Sequence, residues 1–218
     1  MLMDKWRWKI AQLAEINWWR WYLRDKPNLG YRQRKQQYWQ QLISRFDLMP
    51  EPGARVLDAG CGPAGIFMVL NDYRVDALDP LLGQYEASLD AFDPSLYPNT
   101  QFLRCKLEDF DAAGCYDVVF CMNAINHVDD LERSMDKLID SLKPGGKLVM
   151  SVDVHRKPLL QRLFHLIPGD VLHPQQYDEA AYELLLQRRN MHIQSGALLK
   201  RAYIFDYRLL IAYKAAIS

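Results

Sequence analysis

The chain has 218 residues, half of them hydrophobic, and its 27 Lys plus Arg balance its 27 Asp plus Glu. That length suits one large core, and the lack of net positive charge argues against a nucleic-acid partner. Cys61, Cys105, Cys115 and Cys121 form no CxxC pair and no zinc-ligand run, so disulfide, iron–sulfur and other metal chemistry are not expected. With no secretory leader and no apolar run near the roughly 18–20 residues of a membrane span, a reduced, cytoplasmic setting is expected.

The N-terminal piece differs chemically from the rest. Residues 1–50 carry 10 basic and 4 acidic side chains, and all six tryptophans (Trp6, Trp8, Trp18, Trp19, Trp21, Trp39) lie within the first 46 positions. Ile10, Leu13, Asn17 and Trp21 recur at helical spacing, which predicts helices over 3–24 and 31–46 separated by Lys26-Pro27-Asn28-Leu29-Gly30. The expected organisation is a helical extension over 1–49 and a main domain over 50–218, with Pro50-Glu51-Pro52-Gly53 at the passage. Trp and basic residues suit peripheral membrane contact through residues 1–46. Trp at helical spacing more often covers a core or the face of a homodimer, and Trp18, Trp19 and Trp21 cannot share one narrow helix face.

Further along, short apolar runs alternate with amphipathic segments, the pattern of a doubly wound α/β fold with a mostly parallel sheet. Strands are predicted near 54–59, 74–79, 101–105, 116–122 and 147–152. Before the last of these, Asp129-Asp130-Leu131-Glu132 reads as a capping box, and Leu131, Met135, Leu138, Ile139 and Leu142 form one helical stripe that Lys143-Pro144-Gly145-Gly146 ends. The tail reads as a helix near 178–189 and two antiparallel strands near 191–203 and 206–215.

Within this frame, Val56-Leu57-Asp58-Ala59-Gly60-Cys61-Gly62-Pro63-Ala64-Gly65 sets three glycines at GxGxxG spacing after an apolar run. Such glycines let the chain leave a strand sharply and bring its backbone against a ligand, with N–H groups of a following helix aimed at that ligand. Asp79 ends the second predicted strand, 17 positions after Gly62, where an acid can accept both hydroxyls of a ribose. These features alone do not separate a dinucleotide from another adenosine ligand.

VLDAGCGPAG, the LDP closing the second strand, YDVVFCMNAINHVDD and LKPGGKLVMSV stand in an order and spacing that resemble class I S-adenosylmethionine-dependent methyltransferases. The resemblance covers about residues 50–152. It implies a seven-stranded sheet with an antiparallel C-terminal hairpin, and S-adenosyl-L-methionine as cofactor. Asp58 and the Gly60-Cys61-Gly62 backbone would hold its methionine portion, Asp79 with Pro80 its ribose, and Asn123 would lie beside its amino group or serve as a turn-stabilising amide. Glu108 is the candidate for adenine, or one of a solvated acidic pair with Asp109.

Methyl transfer is an in-line displacement on a sulfonium, for which alignment can supply about 7–11 kcal/mol. A base is optional. His155 and His173 are the candidates, in or beside the segment 153–177, which the family plan sets over the acceptor and whose leucines and Tyr177 suit a lid or wall; His127 suits a place near the cofactor. No Asn/Asp-Pro-Pro-aromatic tetrad follows the fourth strand and no Pro-Cys nucleophile is present, which favours a small-molecule or lipid acceptor. The alternatives are a nicotinamide-dependent oxidoreductase and a non-catalytic protein that binds the same cofactor.

Overall fold

The computed structural model describes residues 5–155, 178–201 and 205–216. Seven strands form one sheet: β1 (Arg55–Ala59), β2 (Arg74–Leu78), β3 (Thr100–Leu103), β4 (Tyr116–Met122), β5 (Leu142–His155), β6 (Met191–Arg201) and β7 (Phe205–Lys214). Their order is β3-β2-β1-β4-β5-β7-β6, parallel through β5 and antiparallel where β7 pairs with β5 and β6. The expected doubly wound sheet with its antiparallel end is therefore present. Val56, Leu57, Ala59, Val119, Phe120 and Cys121 are all at most 5% exposed, as strands covered on both faces must be. β1 has β2 on one side and β4 on the other, so the chain reverses its winding direction there. A crevice opens at such a point, beyond the carboxyl ends of the strands.

Among the described residues five α-helices cover the sheet: α1 (Lys5–Leu23), α2 (Asn28–Phe46), α3 (Leu82–Ser88), α4 (Leu131–Ser141) and α5 (Glu179–Gln187). One face carries α4 and α5, whose Leu131, Met135, Leu138, Tyr182 and Leu186 pack with Leu57, Val119 and Leu148. Asp130, not Asp129, caps α4, accepting the Arg133 amide at 3.1 Å; Glu132 instead pairs with Arg189 at 2.5 Å.

The opposite face differs from expectation in three ways. No α-helix follows the glycine loop; the chain makes two 3-10 turns, Gly62–Ala64 and Ile66–Val69, and enters β2 at Arg74. The sheet is covered there by α2, which lies against the second turn. Trp39, Leu42 and Ile43 of α2 share one buried cluster with Ile16 of α1, Phe67, Tyr85 and sheet residues Val56, Val75 and Phe120. The N-terminal helices are thus a layer of the same core.

α2 also begins earlier than predicted, because Pro27 at φ −59° serves as its N-cap and Gly30 is absorbed into the first turn. Finally, the inward stripe of α1 is Ile16, Trp19, Tyr22 and Leu23, whereas Leu13 and Trp21 are 65% and 64% exposed. Trp18 and Trp21 lie outward and Trp19 and Tyr22 inward, so aromatic residues by themselves do not mark the apolar face. No helix among the described residues is long and apolar enough to cross a membrane.

Candidate cofactor site

The glycine loop leaves β1 with left-handed backbone at Gly60 (φ +69°) and Gly62 (φ +57°). A Cβ on Gly60 would sit 2.2 Å from the Ala124 Cβ, so the loop passes against the segment after β4, while a Cβ on Gly62 would meet nothing within 4 Å. Gly62 therefore faces the open side. At Gly65 a Cβ would lie 2.3 Å from Asp58 Oδ2, which explains the third glycine by packing on a carboxylate.

The loop amides are engaged inside the protein. Gly60 and Cys61 both donate to the Leu78 carbonyl, at 2.7 and 3.0 Å, and the Gly62 amide donates to Asp79 Oδ2 at 3.0 Å. The sequence expectation of free N–H groups from a following helix is corrected on both counts: the helix is replaced by short turns, and these donors are taken. A pyrophosphate cradle, which needs such donors, is not formed by them.

Asp79 is 7% exposed. Its Oδ1 accepts the Leu81 amide at 2.8 Å and its Oδ2 the Gly62 amide. A carboxylate offers about four acceptor sites, so capacity for two hydroxyl donors remains. Burial pushes Asp79 up to about 7, reinforced by the charge of Glu15 and opposed by its two amide donors. Asp58, 1% exposed, accepts the Phe67 amide at 3.0 Å and is likewise pushed up by burial to about 7. The Cys61 thiol is raised by burial and by both carboxylates. Asp76, by contrast, is tied to Arg55 at 2.8 Å and to the Tyr116 hydroxyl at 2.6 Å. Among the described residues neither Asp58 nor Asp79 has a salt-bridge cation, so the end of β1 and β2 is an acidic recess, and a ligand with hydroxyls and a positive end would favour its charged form.

The remaining expected residues are distributed unevenly. Pro80 follows Asp79 on the surface. Asn123 has left-handed backbone (φ 55°), its amide N–H reaches the Ser151 hydroxyl at 2.8 Å, and its side-chain nitrogen, oriented by the hydrogen-bond network, donates to Asp153 Oδ1 at 2.7 Å. Glu108 is not a solvated acid: it is 8% exposed, and its Oε1 accepts the Asp129 and Asp130 amides at 2.7 and 3.2 Å, which fastens the start of α4. Asp109 is the solvated member, paired with Arg133 at 3.3 Å.

His155 ends β5 with its backbone opposite Phe205; its side chain, His173 and Tyr177 lie outside the described residues. Sequence reasoning missed Asp153, 6% exposed at the carboxyl end of β5, whose signal was its place directly after the apolar run of that strand. It also missed Trp39 and Glu15. The Trp39 indole donates to the Ala64 carbonyl at 2.9 Å inside the glycine loop, and Glu15 accepts the Tyr85 hydroxyl at 2.8 Å. Glu15 carried a signal too, as the one acid on the stripe shared with Trp19 and Tyr22.

The strand order, the glycine loop and the acid ending β2 are those of a Rossmann-like class I methyltransferase fold. A family model described as a methyltransferase domain matches residues 31–195, and the chain belongs to that family. The match begins inside α2. Membership of this family sets aside the nicotinamide-dependent alternative.

Among curated relatives, the ubiquinone biosynthesis O-methyltransferase of Rickettsia conorii is 30% identical over 98 residues, 44% of this chain and 34% of that protein. The mitochondrial enzyme of the same name from Rattus norvegicus is 32% identical over 111 residues, 47% of this chain and 31% of its own length. The matched segment thus spans about a third of these relatives.

Among solved structures, the 1,6-didemethyltoxoflavin-N1-methyltransferase of Burkholderia thailandensis, with S-adenosylhomocysteine bound, has a TM-score of 0.68 at 17% identity, covering 99% of this chain and 92% of that one. The magnesium protoporphyrin IX methyltransferase of Synechocystis PCC 6803, also with bound S-adenosylhomocysteine, gives 0.60 at 21% identity over 86% and 84%. The [4+2]-cyclase SpnF gives 0.66 at 15% identity over 84% and 81%. At these identities the likeness is one of fold.

Proposed function

We propose that this protein transfers a methyl group from S-adenosyl-L-methionine to a small-molecule or lipid acceptor by in-line displacement. The observation that carries this reading is the bonding at the ends of β1 and β2. The Gly60, Cys61 and Gly62 amides are engaged, and among the described residues the two buried carboxylates have no salt-bridge cation. That donor set suits a ribose diol and an ammonium–sulfonium ligand, not a pyrophosphate.

Asp79 takes the ribose hydroxyls through its two unused acceptor sites. The Gly60-Cys61-Gly62 loop, shaped by Asp58 through the Phe67 amide, holds the methionine portion on the open side of Gly62. Asn123 borders the same recess from the end of β4, backed by Asp153. When bound, the cofactor supplies an electrophilic methyl on sulfur, and that sulfur loses its positive charge as the methyl departs. The protein's part is to align the acceptor and exclude water, with His155 or His173 taking the proton of a hydroxyl acceptor.

The acceptor class is supported by the two relatives named for O-methylation in ubiquinone biosynthesis, which points to a phenolic hydroxyl on an apolar ring system. Exposed Leu13, Trp18 and Trp21 beside Arg20 and Arg24 on α1 support peripheral contact with a membrane that holds such an acceptor. The test is a screen of metabolite and lipid extracts with isotopically labelled S-adenosylmethionine. One labelled, O-methylated product is expected; labelled protein or nucleic acid as the sole product would refute the acceptor class.

A further inference from the structure

α1 reaches the cofactor end of the sheet through two polar contacts with α3. The fully buried Tyr85 ring turns its hydroxyl to Glu15, 2.8 Å away, and Arg20 donates to Ser88 Oγ at 2.7 Å. α3 begins three residues after Asp79. Glu15 lies on the inward stripe of α1 beside Ile16 and Trp19, away from the basic outer face. A carboxylate there is unfavourable unless it is bonded; desolvation raises its pKa, while bonds from Tyr85 and Trp19 favour its charged form.

We propose that Glu15 is a positioning residue of the cofactor site: through Tyr85 it fastens α1 to the helix following Asp79, and its charge sets the field in which Asp79 receives the ribose diol. This inference rests on the assignment of Asp79 to the ribose. Among the described residues, the titratable groups in electrostatic contact with Asp79 are Glu15 from α1, Asp58 from β1, Cys61 from the loop and Tyr85 from α3, with the Gly62 and Leu81 amides as donors. Glu15 is the member of this set that the N-terminal helices supply.

Glu15 opposes the charging of Asp79, and two ribose hydroxyls favour it. Cofactor binding therefore expels a proton, and affinity rises as pH passes through the Asp79 titration near 7. Glu15→Gln keeps an acceptor for the Tyr85 hydroxyl but removes the charge, which moves that rise to lower pH.

The experiment is calorimetric binding of S-adenosylhomocysteine to the full chain across roughly pH 5.5–8.5, comparing wild type, Glu15→Gln, Tyr85→Phe and Asp79→Ala. For Glu15→Gln the rise is expected about one pH unit lower, with about three- to tenfold tighter binding below neutrality and little change at the alkaline end. Tyr85→Phe strips a bond that favours charged Glu15, so it moves the rise the same way by less, and it serves if Glu15→Gln does not fold. A Glu15→Gln profile that superimposes on wild type, while Asp79→Ala weakens binding, overturns this inference alone. If Asp79→Ala also binds normally, the ribose assignment falls with it.

Discussion

The crossovers from β1 to β2 and from β4 to β5 cover opposite faces of one sheet by opposite means. Between β4 and β5 the chain supplies its own amphipathic helix, α4, capped by Asp130 and fastened at its start by buried Glu108. Between β1 and β2 it supplies only two 3-10 turns, and the cover arrives from the N-terminus as α1 and α2. The difference lies in what the backbone must leave open. Glu108 and Asp79 each accept two amides, yet Glu108 bonds successive residues at a helix start, whereas Asp79 bonds a loop that keeps one side unfilled at Gly62. A crossover that needs no ligand can close completely; the other stays short and is held from outside.

Deleting residues 1–46 should break this contrast most severely, since it uncovers Val56, Phe67, Val75 and Phe120 together. Loss of the near-ultraviolet circular dichroism signal and of cooperative unfolding is expected; a cooperatively folded remainder would contradict the shared core. Next in size is Gly60→Val, which combines a left-handed φ of +69° with a Cβ 2.2 Å from Ala124. Denaturant unfolding should show a loss of about 2–4 kcal/mol, together with abolished cofactor binding. Normal binding by the folded variant would remove the loop from the site.

The buried acids at the ends of β1 and β2 add a pH signature. Asp58 is raised in the folded state to about 7, so its contribution to stability is fully present below its unfolded value of about 4 and is lost as pH rises through 7. Asp58→Asn should be less sensitive than wild type to a rise from mildly acid to mildly alkaline pH, by an amount on the order of 2–4 kcal/mol. Parallel stability curves for the two proteins would show that Asp58 does not titrate there. The smallest effect belongs to Trp39→Phe, which keeps the ring and deletes the N–H bonded to the Ala64 carbonyl. About 1–2 kcal/mol should be lost; an unchanged midpoint would show that the bond does not hold the loop.

Much of the sheet was legible because runs such as Val118–Cys121 are apolar on both faces, and motif spacing placed Asp58, Gly60, Gly62 and Asp79 at strand ends. What escaped the sequence depended on contacts far along the chain. The apolar Ile66–Val69 run looks like a helix start, and nothing local reveals that α2 occupies that space. Glu108 acquires its role from amides 21 and 22 positions later. On α1, Trp18 and Trp21 are exposed while Trp19 packs inward, so only packing identifies Ile16 and Trp19, and with them Glu15, as the inward side.

The account depends most on Asp79 as the acceptor for the cofactor's ribose. Titration calorimetry of S-adenosylhomocysteine against wild type and Asp79→Ala tests it directly. Tight binding to wild type and a loss of about 10- to 100-fold in the variant are predicted, the worth of hydrogen bonds to a charged acceptor. Equal affinity for both proteins, or a nicotinamide dinucleotide binding wild type in preference, would contradict it.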